Sequence, residues 1–275
     1  MNILITAGGT IEKIDEVRFI SNNSTGLLGT KIAEAFIATG ITDKVFYVCG
    51  KNAAIPQNDK ITIRRVASVS DLETELKDIM SKYKIDAVVH SMAVSDYAVS
   101  AVTSYDNIFK SVNESLQSID FKKCTKQDIS ELIFSGFKSE PNISVSGKIS
   151  SDIGDLVVIM KKTPKIIGLI KQMQPNTILV GFKLLNNVPV DVLLKTGYSI
   201  MEKNKCDLVF ANDLKDVNPE NHSGYLIKSE GTYKKITGKS KIAAEIVSAV
   251  IEILNKERDT DEKYSTRGNG QYCGI

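Results

Sequence analysis

The chain has 275 residues, 42% of them hydrophobic and 25% charged, with a formal net charge of +2. That length can bury a proper core, and the composition is that of an ordinary soluble globular protein. The near-neutral balance gives no reason to expect nucleic acid as a partner, although mild basicity suits an anionic small molecule.

Chain order begins with a strand over 2–7, "NILITA", broken by Gly8 and Gly9 too soon to be a signal peptide. A long polar crossover follows, and then a helix over 26–40. Strands at 44–49 and 61–66, a helix at 70–83 and a buried strand at 86–92 continue the alternation. Residues 98–147 interrupt it with helical fragments and Ser/Asn-rich pieces but no strand for the main sheet. They read as an insertion: a flap, an interface element, or both. Beyond it come a helix at 163–173, a strand at 177–183, a helix at 189–204 and a strand at 206–212, with Pro164 and Pro189 placed where a first helical turn tolerates proline. Residues 223–236 read as a hairpin turning at Glu230-Gly231. A closing amphipathic helix spans 239–257, with Ile242, Ile246, Val250 and Leu254 on one face. The polar tail 258–275, which carries Cys273, is expected to be disordered.

Alternating strands and helices predict an α/β fold: a Rossmann-like three-layer sandwich with a mainly parallel sheet, a C-terminal hairpin and an inserted flap. Residues 1–257 are read as one domain. No run approaches the roughly 20 apolar residues of a membrane span. Four cysteines without C-x-x-C spacing, and two histidines, argue against zinc or a disulfide framework, and Cys49 and Cys206 lie in apolar runs as buried, inert thiols. A cytoplasmic protein with neither membrane nor nucleic-acid partner is expected.

In doubly wound sheets, ligands bind beyond the carboxyl ends of the strands. Gly8, Gly9 and Thr10 after the first strand form either a phosphate-binding turn or an ordinary tight one. Asp96 follows a buried strand and reads as a ligand for nucleotide-borne Mg²⁺ or as a turn residue. His90 is either a general base or a satisfied core residue. Lys148 is either solvated or a clamp that neutralises a phosphate leaving group. Arg18, Asn22 and Asn23 in the crossover can hold anionic oxygens but offer no nucleophile. A P-loop, a G-x-S-x-G elbow and an H-E-x-x-H motif are all missing, and "TGKS" at 237–240 lacks the glycine spacing of a P-loop. The residues point to positioning and charge neutralisation around a nucleotide-like anion.

Taken in order, "ITAGGT", "IDEVRFISNNSTGLLG", "SMAVSDY", the Lys148-Ile149 pair, "TPKII", "LVGFK" and "DLVFANDL" resemble the phosphopantothenate–cysteine ligases (phosphopantothenoylcysteine synthetases) of coenzyme A biosynthesis. The resemblance covers about Met1 to Ile253 except most of 98–147. Because the chain opens on the ligase strand, it looks like a monofunctional form. The resemblance implies that CTP, or ATP, with Mg²⁺ activates 4′-phosphopantothenate as an acyl-nucleotide, which the amine of L-cysteine then displaces. It implies no tightly bound organic cofactor, no metal site built by the protein alone, a homodimer, and a separate decarboxylase acting downstream.

By motif, Arg18 and Asn22 would hold the acyl-nucleotide, with Asn23 and Ala93 also on the substrate. Lys148 would meet the triphosphate. Nucleotide binding would fall to Gly8, Gly9, Thr10, His90, Ser91, Met92 and Asp96, to the helix start Pro164, Lys165, Ile166 and Ile167, to Phe182 against the base, and to Lys203. One departure stands out: the bacterial family's K-I-K-K reads Lys148-Ile149-Ser150-Ser151 here. Two charges are missing, so other residues assist with the triphosphate or its affinity is lower. Two rival readings are an NAD(P)-dependent reductase or epimerase and a non-catalytic nucleotide sensor. The reductase wants an acidic residue after the second strand and a Tyr-x-x-x-Lys pair; Cys49-Gly50 and Tyr97 with Ala101 stand there instead. The retained Arg18, Asn22 and Lys148 argue against the sensor.

Overall fold

The computed structural model describes residues 1–117, 123, 125–138, 147–217, 222–228 and 231–268, with the backbone alone at 136–138 and 257–268. In chain order the elements are β1 (Asn2–Ala7), β2 (Ile11–Lys13), β3 (Phe19–Ser21), α1 (Leu27–Ala38), β4 (Lys44–Gly50), β5 (Ile61–Val66) and α2 (Val69–Lys82). Next come β6 (Ala87–His90), β7 (Tyr97–Ser104), α3 (Tyr105–Gln117), α4 (Lys126–Lys138), β8 (Leu156–Lys162) and α5 (Ile166–Met173). The chain continues through β9 (Ile178–Leu185), α6 (Val190–Asn204), β10 (Leu208–Asp213), β11 (Ser223–Lys228), β12 (Tyr233–Thr237) and α7 (Lys239–Gly268). Residues Met1–Thr10, Asn22–Val94 and Lys165–Ile275 form one compact unit, and Ile11–Ser21 with Ser95–Pro164 form a second.

The first unit is the expected α/β sandwich. Its 8-stranded sheet has the order β12-β11-β10-β9-β6-β1-β4-β5. The strands from β10 to β5 are parallel, and β11 and β12 add an antiparallel hairpin at one edge. Alternate residues of each strand feed two cores, as a period of two requires. Ile3, Ile5, Val45 and Tyr47 pack with Ile32 and Phe36 of α1 and Ile242, Ile246 and Val250 of α7. Leu4, Phe46 and Val88 pack with Leu72, Leu76 and Ile79 of α2, Ile166 and Ile170 of α5, and Leu193 and Met201 of α6. The chain leaves β1 toward β4 on one side and has β6 on the other, so the strand order reverses between β1 and β6. A crevice opens at the carboxyl ends of strands at such a point.

Differences from the sequence-based reading are local. α5 starts at Ile166, so Pro164 precedes the helix instead of occupying its first turn. Pro189 is the N-cap of α6, with φ −60°. Gly231 takes φ +81° and its N–H donates to Lys228 O, as a hairpin turn needs; Glu230 lies outside the described residues. The backbone of α7 runs to Gly268, beyond the expected start of the tail at Arg258. Between Glu257 and Arg267 the chain has neither Gly nor Pro to stop it. Residues 269–275, Cys273 included, lie outside the described residues. Cys49 and Cys206 are buried free thiols, their pKa values pushed up by burial.

In the second unit, β2 and β3 fold part of the crossover into a hairpin, with Glu12 opposite Ile20. β7 and β8 form an antiparallel ribbon with an irregularity between Val99 and Ala101. β2 and β3 lie in the crossover, β7 lies at the start of the insertion, β8 follows the insertion in a stretch where the sequence predicts no element, and none of them joins the main sheet. α3 and α4 pack together beyond the ribbon, and Val102, Ile108 and Ile149 are buried in this unit. Parts of the expected 98–147 insertion, 118–122, 124 and 139–146, lie outside the described residues. No helix among the described residues is long and apolar enough to cross a membrane.

The N-terminus of α2 is closed by a reciprocal capping box, in which Ser68 Oγ accepts from Asp71 N at 3.1 Å and Asp71 Oδ2 accepts from Ser68 N at 2.9 Å. Ser68→Ala should therefore lower unfolding free energy by about 1 kcal/mol. A urea-unfolding midpoint unchanged from wild type would contradict this.

Candidate active site

In the first unit, the turn after β1 is built by backbone approach. Gly8 has φ +80°, and a Cβ there would sit 2.5 Å from Ala53 Cβ. A Cβ on Gly9 would overlap the Asn22 carbonyl oxygen, and one on Gly50 would overlap the Gly9 carbonyl oxygen. Only glycine permits this packing. The tips of β1 and β6 are then laced past the sheet: Ala93 N donates to Gly8 O at 2.8 Å, and Thr10 N to Ala93 O at 3.1 Å. Ser91 Oγ donates to Thr6 O at 2.7 Å. Arg65 Nη1 holds the segment after β4 that packs against this turn, donating to the carbonyls of Gly50, Lys51 and Ala53 at 2.8–3.0 Å.

α1 begins at this turn. Its N-cap is Gly26, φ +73°, with no side-chain cap. The Tyr47 hydroxyl lies within hydrogen-bond reach of the Gly26 carbonyl at 3.3 Å, the Ala54 carbonyl at 3.1 Å and Thr30 Oγ1 at 3.1 Å. Burial pushes its pKa up to about 12, so it is a fixed neutral donor. Asn22 and Asn23 are exposed beside the turn. The first-turn N–H groups of α1 and the amides of Asn22 and Asn23 make a neutral, donor-rich surface suited to anionic oxygens.

Thr10 is fully buried, and its N–H is already committed to Ala93. It holds the turn and does not offer that N–H to a phosphate. His90 is 7% exposed, with Nδ1 2.9 Å from Thr6 Oγ1. Burial lowers its pKa to about 4, so it is neutral at pH 7. Thr6 Oγ1 also accepts from Met92 N at 3.3 Å. Of the two readings of His90, the satisfied core residue is the one its surroundings fit. Met92 is also buried, whereas Ser91 and Ala93 are partly accessible.

On the other side of β6, Lys165 is the exposed N-cap of α5, with buried Ile166 and half-buried Ile167 after it. Gly181 of β9 lets this helix approach; a Cβ there would meet Ile167 Cδ1 at 3.1 Å. Lys203 is exposed on the last turn of α6. Next to it, Asn204 Oδ1 would lie 3.5 Å from a Cβ on Gly168, so this end of α6 comes beside the first turn of α5. Phe182 makes a tilted ring contact with Phe210, centroids 5.6 Å apart, on the face covered by α1 and α7. Asp213, at the carboxyl end of β10, fixes the loop after β9 by accepting from Asn187 N, Val188 N and Lys215 N at 2.8–3.1 Å. Burial opposes its charge, but these donors and Lys215 outweigh that and bring its pKa down to about 2.

Arg18, Asp96, Lys148 and Pro164 belong to the second unit. There Asp15, 1% exposed, organises the cations. Its Oδ1 accepts from Val17 N at 2.7 Å and from Arg18 N, and its Oδ2 accepts from Ile149 N at 3.1 Å and Arg18 Nη1 at 3.2 Å. Burial works against its charge, yet the three backbone donors and the guanidinium together lower its pKa. Lys148, adjoining Ile149, is exposed, and Arg18 is partly so. Asp96 is exposed; its carbonyl accepts from Thr163 N at 2.9 Å, and Ser95 O accepts from Thr163 Oγ1 at 2.6 Å, which fixes the backbone before Pro164. Sequence reasoning missed Asp15, although the quoted crossover contains it, because partners 134 residues apart leave no local pattern.

A sequence profile for the family described as DNA/pantothenate metabolism flavoprotein C-terminal domain matches residues 1–135 and 136–254. The crystal structure of the DNA/pantothenate metabolism flavoprotein from Streptococcus pneumoniae is similar, with TM-score 0.72 and 32% identity, over 92% of this chain and 99% of that one. The C-terminal domain of a coenzyme A biosynthesis bifunctional protein CoaBC shares the fold, with TM-score 0.63 and 21% identity, over 93% of this chain and 96% of that one. Bifunctional CoaBC proteins of Thermococcus kodakarensis and Haemophilus influenzae are each 29% identical, over 82% and 93% of this chain and 44% and 52% of their own lengths. The chain thus spans about half the length of these curated relatives.

Two predictions follow from this geometry. Gly9→Ala forces its Cβ onto a backbone carbonyl, so stability should fall by about 1–3 kcal/mol; an unfolding midpoint equal to wild type would refute the packing. His90, with its folded pKa near 4 and an unfolded value near 6.5, binds its proton more weakly when folded. Its contribution to stability is full above pH 6.5 and is lost as pH falls toward 4. The His90 ring resonances should therefore stay in their neutral position down to pH 5; a midpoint near 6.5 would contradict the burial.

Proposed function

The chain belongs to the DNA/pantothenate metabolism flavoprotein C-terminal domain family, and on that premise we propose that it joins 4′-phosphopantothenate to L-cysteine as a nucleotide-driven ligase of coenzyme A biosynthesis. The observation that carries the proposal is the crossover after β1. Where a dehydrogenase keeps a short glycine turn, this chain places Asn22 against Gly9 and hangs Arg18 on the buried Asp15 carboxylate.

A carboxylate is a poor acyl donor until one of its oxygens becomes a phosphate leaving group. In the first step a phosphopantothenate carboxylate oxygen attacks the α-phosphorus of CTP or ATP, and the bond to pyrophosphate breaks. In the second, the cysteine amine attacks the acyl carbon, the nucleoside monophosphate leaves, and the amine loses a proton. The protein's part is to place reactants and stabilise charge. Lys148 faces the triphosphate in the first step, and Arg18 and Asn22 hold the acyl-nucleotide in the second. The donor-rich start of α1 takes a phosphate, and Phe182, the start of α5 and Lys203 serve the nucleoside.

Among the described residues no three His, Cys, Asp or Glu side chains gather into a metal cage. Mg²⁺ is taken to ride on the nucleotide, with Asp96 as the carboxylate to meet it. Bound there, the ion would neutralise phosphate charge. A homodimer is proposed through the second unit, where Tyr105 and Phe109 of α3 and Phe134 of α4 are 61–69% exposed. The product, carrying a cysteine carboxylate, suits a separate decarboxylase next in sequence, and the cytoplasm is the proposed location.

The decisive assay follows pyrophosphate release with phosphopantothenate and Mg²⁺, comparing CTP with ATP, with and without cysteine. No release with either nucleotide would sink the ligase reading. Lys148→Gln should slow pyrophosphate release roughly 10²-fold or more. Asn22→Asp should instead block amide formation and let acyl-nucleotide accumulate. Equal defects of both variants in both steps would refute that division of labour.

A further inference from the structure

We propose that Asp15 is a positioning residue: one buried carboxylate that latches the Lys148 segment and the Arg18 guanidinium, so that the two cations of the reaction are set by a common anchor. The part it plays in catalysis rests on the ligase reading; the latch itself rests on geometry within the second unit.

The two carboxylate oxygens have separate tasks. Oδ1 accepts from Val17 N and Arg18 N, which closes a local turn of a kind any Asp or Asn can make. Oδ2 points elsewhere, to Ile149 N at 3.1 Å and to Arg18 Nη1 at 3.2 Å. A local turn explains the first oxygen and leaves the second unexplained. Ile149 is 2% exposed, so the residue after Lys148 is anchored while Lys148 itself is exposed. A second strut lies alongside, from Glu16 N to Gly147 O at 3.5 Å. A buried carboxylate is costly unless its oxygens are satisfied, and here four donors converge on it. With both Lys148 and Arg18 held to one group, a shift of the 15–18 turn moves both.

Asp15→Asn separates the two tasks. The amide oxygen can still close the turn, but its NH₂ would face two donors, Ile149 N–H and Arg18 Nη1. In the wild-type protein the Ile149 amide should exchange with solvent at least about tenfold more slowly than in the unfolded chain. In Asp15→Asn that protection should be lost while Val17 and Arg18 amides keep theirs. Pyrophosphate release should fall roughly 10- to 100-fold, the effect of misplacing a catalytic group by about 1 Å. The Asp15→Asn/Lys148→Gln double variant should release pyrophosphate no more slowly than Lys148→Gln alone. Asp15→Glu, which keeps the charge, should recover part of the rate.

An unprotected Ile149 amide in the wild-type protein overturns the latch without recourse to any variant, as does unchanged protection in a folded Asp15→Asn. Defects that multiply in the double variant would show that Asp15 does not act through Lys148. If the wild-type protein releases no pyrophosphate at all, the ligase reading fails, and exchange at Ile149 still decides the latch. Should Asp15→Asn not fold, the wild-type exchange and the Asp15→Glu rates carry the test.

Discussion

No side chain fits on Gly9, and much of the first unit's candidate site hangs on that fact. The bare backbone lets the Asn22 carbonyl, the Gly50 segment and the end of β6 close on the tip of β1. Two strand-tip hydrogen bonds to Ala93 and the support from Arg65 lock the closure. The first turn of α1 then starts beside a glycine pocket instead of a side chain. A dinucleotide fingerprint reaches the same end with glycines spaced along a short loop. Here the glycines come from three separate segments, which leaves the crossover free to carry polar groups of its own.

Charge is managed in two different ways. In the first unit the groups beneath the strand tips are held neutral by burial, as with Tyr47 and His90, or fully hydrogen-bonded, as with Asp213. Donors there are backbone N–H groups and amides, whose dipoles need no reorganisation when a charge develops nearby. In the second unit the cations stay accessible and a buried anion anchors them.

The departure at Ser150-Ser151 fits this division. With Ser150 and Ser151 in place of further lysines, Lys148 is the cation that segment 148–151 carries, and its placement depends on whatever fixes its backbone. The Ile149 amide does that through Asp15, a contact within the second unit. Arg18 shares the anchor, so the crossover and the clamp, far apart in sequence, meet on one carboxylate.

Much of this was legible beforehand. Alternating apolar runs placed the parallel strands to within a residue or two at most ends, because a strand buried on both faces must be apolar throughout. The "DEVRFISNNSTG" segment marked the family, and glycine and proline marked the turns. The β7–β8 ribbon escaped, because its strands are half-exposed and lack a clean alternation. The nature of His90 could not be read either, since one buried histidine looks the same in sequence whether or not a threonine hydroxyl waits beside it. By itself, then, the sequence determined the α/β class, the strand-tip positions and the polar crossover, all of which follow from local periodicity and residue type. Tertiary structure alone decided that Thr10 and His90 face inward, that Asp213 ties the loop after β9, and that Asp15 joins Arg18 to the Lys148 segment. Those outcomes depend on which distant backbone N–H meets which buried oxygen, and no local pattern encodes that.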